Sequence, residues 1–185
     1  MRNRILGYGV GAGLVIGVPL FIMMVTTDAR AMFEGGMLLG YTVMLVAFSL
    51  VFLAIKRQRD VDGGGAIRFW PALKLGLGIS VVASLTYALA WEGALAVSGA
   101  DFAGAYADHL MNKERAAGAS AARLAQLRAE MDAFAQSYAN PLVRVPMTFI
   151  EMFPVGLLVS LVSAALLRNP RFMAARRQRS EPHAS

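Results

Sequence analysis

Four long apolar runs dominate this chain and decide the medium in which it folds. They are Ile5–Val25, Met37–Ile55, Ala72–Val97 and Pro146–Leu167. Each holds about the twenty residues that a helix needs to cross roughly 30 Å of hydrocarbon. Backbone polar groups inside lipid must be satisfied within the chain, so runs of this length predict helices. A chain that is 57% hydrophobic, with mean hydropathy +0.52, exceeds the apolar content of an ordinary soluble domain. The expected fold is all-α: a four-helix transmembrane bundle. An extracytoplasmic helical hairpin, residues 98–145, lies between the third and fourth spans, and a basic tail, residues 168–185, follows the last.

Charge is segregated by loop. Arg2, Arg4, Lys56, Arg57, Arg59, Arg68, Lys74, Arg168, Arg171, Arg176, Arg177 and Arg179 fall on the side of the two termini and the second loop. Arg30, Lys113, Arg115, Arg123, Arg128 and Arg144 fall on the other. The excess of positive residues places both termini in the cytoplasm of a multi-pass protein. The net charge of +6 is therefore an orientation signal, and no nucleic-acid partner is expected. With no cysteine, the chain has no disulfide, thiolate metal site or thiol nucleophile. Arg2 and Arg4, an apolar stretch and then Ala29-Arg30-Ala31 also fit a cleaved signal peptide, which would remove residues 1–31 and leave three spans. The stretch runs about twenty residues against the usual 7–15, which favours retention and four spans.

Glycines mark the first span. Gly7, Gly9, Gly11, Gly13 and Gly17 give overlapping G-x-x-x-G spacings, which let helix backbones approach closely in lipid. Two uses follow: packing within the bundle, or a seam for a second copy or membrane partner through Gly7 and Gly11. Pro19 should kink the span by removing a ladder bond. Asp60-Val61-Asp62-Gly63-Gly64-Gly65 reads as a turn, and Phe69-Trp70-Pro71 as an interfacial helix start. Small residues recur one turn apart at Gly76, Ser80 and Ser84 in the third span, and at Gly156, Ser160 and Ala164 in the fourth.

Residues 98–145 read as two helices. Asp101 caps the first, with Phe102, Tyr106 and Leu110 on one face. Gly118-Ala119-Ser120 makes a turn and a new cap. The second helix has a seam at Leu124, Leu127, Met131, Phe134 and Tyr138, and Arg128 stands four residues before Asp132 as an ion pair. Asn140-Pro141 ends it. The hairpin should project roughly 25 Å, closing on itself, on the bundle or on a partner helix.

Glu92 and Glu151 are the acids inside the apolar runs. Each lies five residues from the outer end of its run, roughly 7–8 Å below the boundary. They form a candidate polar site with Thr148, which stands one turn before Glu151, and Pro154, which cannot donate to the carbonyl of Ile150. Three uses are open: acids reaching headgroup water, a hydrogen bond between helices, or an ion or proton site with a shared proton. His109 has Asp101, Asp108 and Glu114 nearby, but no metal-ligand spacing supports a site. No G-x-S-x-G context accompanies it. No metal or cofactor is expected.

Three blocks carry a resemblance. The first is Gly63-Gly64-Gly65-Ala66-Ile67-Arg68-Phe69 with Ala72-Leu73-Lys74-Leu75-Gly76. The second is Trp91-Glu92 with Asp101-Phe102 and Tyr106. The third joins Gly118-Ala119-Ser120, Glu130-Met131, Tyr138-Ala139-Asn140-Pro141-Leu142 and Thr148 through Leu157. Together, over about residues 60 to 168, the chain resembles the domain-of-unknown-function family 4199, small bacterial membrane proteins. The resemblance implies a four-span protein of the bacterial inner membrane and no activity. The preferred function is a non-enzymatic accessory or scaffold subunit presenting the hairpin outside the membrane. The alternative is a small oligomeric ion or solute transporter using Glu92 and Glu151. A membrane enzyme using one glutamate as general base ranks last.

Overall fold

The computed structural model describes residues 2–26 and 36–173. It is all-helical, in the order α1 (Arg2–Thr26), α2 (Gly36–Arg57), α3 (Phe69–Ser98), α4 (Phe102–Ala116), α5 (Ala121–Tyr138) and α6 (Pro141–Leu167). Four helices are long and apolar enough to cross a membrane: α1, α2 with its extension to Asp62, α3 and α6. The chain is accordingly a multi-pass membrane protein. The outer turn after Thr26, the Ala29-Arg30-Ala31 segment and the arginines beyond Met173 lie outside the described residues.

Helix ends follow the local chemistry. Asp101 accepts from the Gly104 amide at 2.9 Å and Ser120 from the Arg123 amide at 3.3 Å, so both expected caps form. Gly99 ends α3 with φ +62°, a left-handed conformation in which a Cβ is disfavoured. Pro19 lies inside α1, which continues without a break. Two boundaries differ from expectation. α2 runs on through a π-helical turn, Gln58–Asp62, so the loop begins only at Gly63. α6 starts at Pro141, five residues before the apolar run. Asn140 caps it, accepting from the Leu142 amide at 3.0 Å, and proline occupies its first position.

α3 is the centre of the assembly, packed between α1 and α6. On one side it meets the glycine stripe of α1. A Cβ added at Gly9 would lie 2.6 Å from Val82 Cβ, and one at Gly13 would lie 2.5 Å from Thr86 Cβ. Gly17 is equally close to Ala90. Gly7 and Gly11 face open space, so the intramolecular seam uses the other register. On the other side, the small stripes of α3 and α6 interlock. Gly76 stands against Ser160, Gly156 against Ser80, and the Ser80 and Ser160 hydroxyls lie 3.1 Å apart. Phe48, Ile55, Leu75, Ile79 and Met152 fill the space around this seam. Large apolar side chains such as Leu45, Leu89 and Leu158 point outward, as lipid-facing positions require.

The end opposite the hairpin is tied by charge. Arg59 is fully buried. Its Nε donates to Asp60 at 2.7 Å, and Nη1 and Nη2 donate to the carbonyls of Phe172 at 2.7 Å and Met173 at 2.8 Å. Lys56 Nζ reaches the other Asp60 oxygen at 2.5 Å. Arg4 bonds Gln58 and Asp62, which fastens α1 to the same turn.

In the hairpin, Met111 and Leu127 are buried between α4 and α5. The rings of Tyr106 and Phe134 sit 5.8 Å apart across the pair. Arg128 and Asp132 do not form the expected ion pair among the described residues. Arg123 takes that role, lying 3.9 Å from both Glu114 and Glu130.

Candidate functional site at the hairpin base

The hairpin joins the membrane helices where the ends of α3, α4, α5 and α6 meet. Because α6 begins at Pro141, Arg144 is carried on its first turn and faces α3. Arg144 Nε donates to Glu92 Oε1 at 2.6 Å and Nη2 to Glu92 Oε2 at 2.5 Å. This paired geometry matches the planar guanidinium fork to the carboxylate and is the strong form of the interaction. Nη1 donates to the Tyr138 carbonyl at 3.0 Å, at the last residue of α5. The guanidinium carbon also stands 5.4 Å from the centre of the Tyr138 ring, within cation–π range. One side chain thus ties α3, α5 and α6 together.

A second bond runs beside it. Trp91 Nε1 donates to the Tyr138 hydroxyl at 2.6 Å, and both residues are buried. Phe102, at the start of α4, meets the Trp91 ring edge-on at 4.8 Å and stacks on Tyr138 at 5.8 Å. Burial pushes the Tyr138 hydroxyl up from 10.0 to about 12. The Trp91 bond and the Arg144 charge oppose the rise, and the charges of Glu92 and Glu151 add to it. Tyr138 therefore stays neutral at physiological pH, and its hydroxyl oxygen accepts the Trp91 bond. An open cavity of about 550 Å³ lies alongside, lined by Glu92, Leu95, Asp101, Phe102, Tyr138 and Arg144 among others.

The four candidate residues do not come together as one polar site. Glu92 is engaged by Arg144. Thr148 is buried, and its hydroxyl donates to the Arg144 carbonyl at 3.0 Å within α6, not to Glu151. Glu151 and Pro154 are exposed on α6. No hydrogen bond or ion pair links Glu151 to Glu92 or to any other described residue. What brings the two acids into relation is their common electrostatic effect on Tyr138. Among the described residues, no three His, Asp or Glu side chains converge to hold a metal.

A family model described as a protein of unknown function, DUF4199, matches residues 7–169. The chain belongs to this family. No curated protein and no solved structure matches it. The DUF4199 match covers the first membrane helix from Gly7 on, the other three and the hairpin, so the knot of Trp91, Glu92, Tyr138 and Arg144 lies wholly within it.

Two features escaped the sequence reading of this DUF4199 chain. By hydropathy the fourth span starts at Pro146, which leaves Arg144 as a loop charge. The signal that finds it is Asn140-Pro141, which stops one helix and also caps and starts the next. Arg59 looks like an orientation charge in the sequence, and no local pattern distinguishes a buried arginine from its exposed neighbour Arg57.

Proposed function

We propose that this protein is a non-enzymatic accessory subunit of a bacterial inner membrane that holds the α4–α5 hairpin outside the cytoplasm, in a fixed attitude, for a membrane partner protein. The observation that carries the reading is the engagement of Glu92 by Arg144 at the hairpin base. An intramembrane acid is costly and is retained where it has work to do. Here both of its oxygens are occupied in fastening helices. The Trp91–Tyr138 bond and the aromatic cluster strengthen the same joint. Beyond the joint, both helices carry mixed charges and α5 is largely exposed, which suits a presented surface. The charge asymmetry supports cytoplasmic termini and an external hairpin.

Replacing residues 107–133 by a short glycine–serine linker leaves the joint in place. The variant should insert and fold normally yet lose a protein that co-purifies with the full chain from native membranes. If the full chain, cross-linked in those membranes, brings down no protein at all, the reading fails. Proteoliposomes supply the contrary test. Ion or solute flux above protein-free vesicles, abolished by both Glu92→Gln and Glu151→Gln, would replace an accessory role with transport.

A further inference from the structure

Among the described residues, Glu151 is the one acid on a membrane helix without a hydrogen-bond or ion-pair partner. It stands ten residues into α6 and five into the apolar run, roughly 7–8 Å inside the hydrocarbon at 1.5 Å per residue. It is exposed and makes no hydrogen bond or ion pair among the described residues. The exposed side chains beside it on α6 are apolar, Met147 at 40% exposure, Ile150 at 65% and Leu158 at 62%, while its charge also acts on the buried Tyr87 of α3. Glu92, level with Arg144 and about two helical turns nearer the hairpin, shows how the same chain treats an acid on a membrane helix: it is given an arginine. A charge at the bilayer centre costs about 2.5–3.5 kcal/mol, less toward the interface, and such residues generally find a partner or a wet cavity.

The exposed face of α6 adds an acceptor beside the carboxylate. Pro154 has no N–H, so the carbonyl of Ile150 receives no ladder bond from it, one residue from the Glu151 carboxylate. A complementary surface must therefore bring N–H groups with positive charge. The described chain does not hold such a group at that depth. Its lysines and arginines on the membrane helices sit at the opposite end, from Arg4 to Arg168, apart from Arg144. Arg144 is engaged by Glu92 and the Tyr138 carbonyl. Among the described residues, a second copy offers no such group either.

We infer that the exposed face of α6 around Glu151 docks a transmembrane helix of a different protein, one that carries a lysine or arginine at the depth of Glu151. This rests on the accessory reading and gives its partner a chemistry: an intramembrane cation that needs an acid. The contact lies within the membrane, distinct from any contact made by the hairpin.

Photo-activatable amino acids at Ile150 and Leu158, in the full chain in native membranes, test it. Leu89, 67% exposed on α3, serves as the lipid-facing control. The expected result is a cross-link from positions 150 and 158, absent from 89, to a membrane helix containing a lysine or arginine. Glu151→Gln, which keeps the side-chain shape, should cut the yield by roughly tenfold, the equilibrium equivalent of one charge-assisted hydrogen bond. Glu151→Lys should abolish it, and changing the partner's basic residue to glutamate should restore it. Lipid adducts alone, a yield unchanged by Glu151→Gln, or a cross-link to a second copy or to residues 27–35 of the same chain would overturn the inference. A further probe at Gln136, exposed on α5, separates it from the hairpin reading. Capture of a partner at 136 with lipid alone at 150 sinks the inference and spares the accessory role. Lipid at 150 and no capture at 136 sinks both.

Discussion

Trp91 of α3 donates from its indole Nε1 to the hydroxyl of Tyr138, the last residue of α5, across a separation of 47 positions in the chain. The bond turns the foot of the hairpin into part of the membrane-embedded core. The hairpin cannot tilt about its base without leaving one of these buried polar groups unpaired. Trp91→Phe and Tyr138→Phe should each lower stability by about 1–2 kcal/mol. The double variant should cost less than the sum of the two. A double-mutant cycle followed by thermal unfolding in detergent measures the coupling.

The neighbouring pair responds differently. Arg144→Met leaves Glu92 partly buried without its partner and should cost about 2–3 kcal/mol, since the pair keeps some contact with water. Glu92→Gln should cost less, because the amide still accepts from the guanidinium. Arg144→Lys keeps the charge and loses the fork, so it should rescue only part of the loss. Unfolding midpoints of the variants, compared in one detergent, give the ranking. Equal midpoints for Arg144→Met and Arg144→Lys would remove the fork geometry from the account.

Tyr138 sets an alkaline limit. Its folded-state value of about 12 stands above the ordinary 10.0. Below pH 10 the hydroxyl is protonated in both folded and unfolded chains, and its contribution to stability is fully present. Between pH 10 and about 12 only the unfolded chain releases the proton, so stability falls with rising pH. Tyr138→Phe should flatten that part of the pH–stability curve. Tyrosinate absorbance of the native protein should show one phase, missing in the variant, near the upper value.

The glycines of α1 divide by register. Gly13→Ala drives a methyl group to 2.5 Å from Thr86 Cβ and 2.8 Å from the Ala83 carbonyl oxygen. It should separate α1 from α3 at a cost of about 1–3 kcal/mol. Gly11→Ala meets nothing within 4 Å and should be neutral or slightly stabilising, since alanine is the better helix former. Thermal unfolding of the two variants makes the comparison. A Gly11→Ala protein as unstable as Gly13→Ala would show that the packing register is wrong.

Arg59 holds the segment after α6. Arg59→Met strips donors from the carbonyls of Phe172 and Met173 and leaves Asp60 with Lys56 alone. Limited proteolysis with trypsin should then cut at Arg168 and Arg171 several-fold faster, while the membrane helices stay intact. An unchanged cutting rate would mean that the segment is held by other contacts.

The apolar runs made the four membrane helices legible because lipid leaves a spanning backbone no alternative to satisfying its own hydrogen bonds. Caps at Asp101 and Ser120 and the Leu124–Tyr138 seam are legible for a similar reason: they are local, with their partners three or four residues away. The start of α6 was misplaced because hydropathy reports where apolar character begins, whereas a helix begins where its cap and first proline permit. Five residues follow from that difference, and Arg144 is among them.

Thus the sequence alone determined the solvent, the number of spans and the helical hairpin, which depend on composition and short-range periodicity, and the family, which rests on the resemblance of its motifs. Tertiary structure alone decided which register of α1 glycines packs, that Glu92 meets Arg144 while Glu151 stands exposed, and that Arg59 is buried. Those outcomes depend on which faces of distant helices meet, a matter of a few ångströms of rotation and depth that no local pattern encodes.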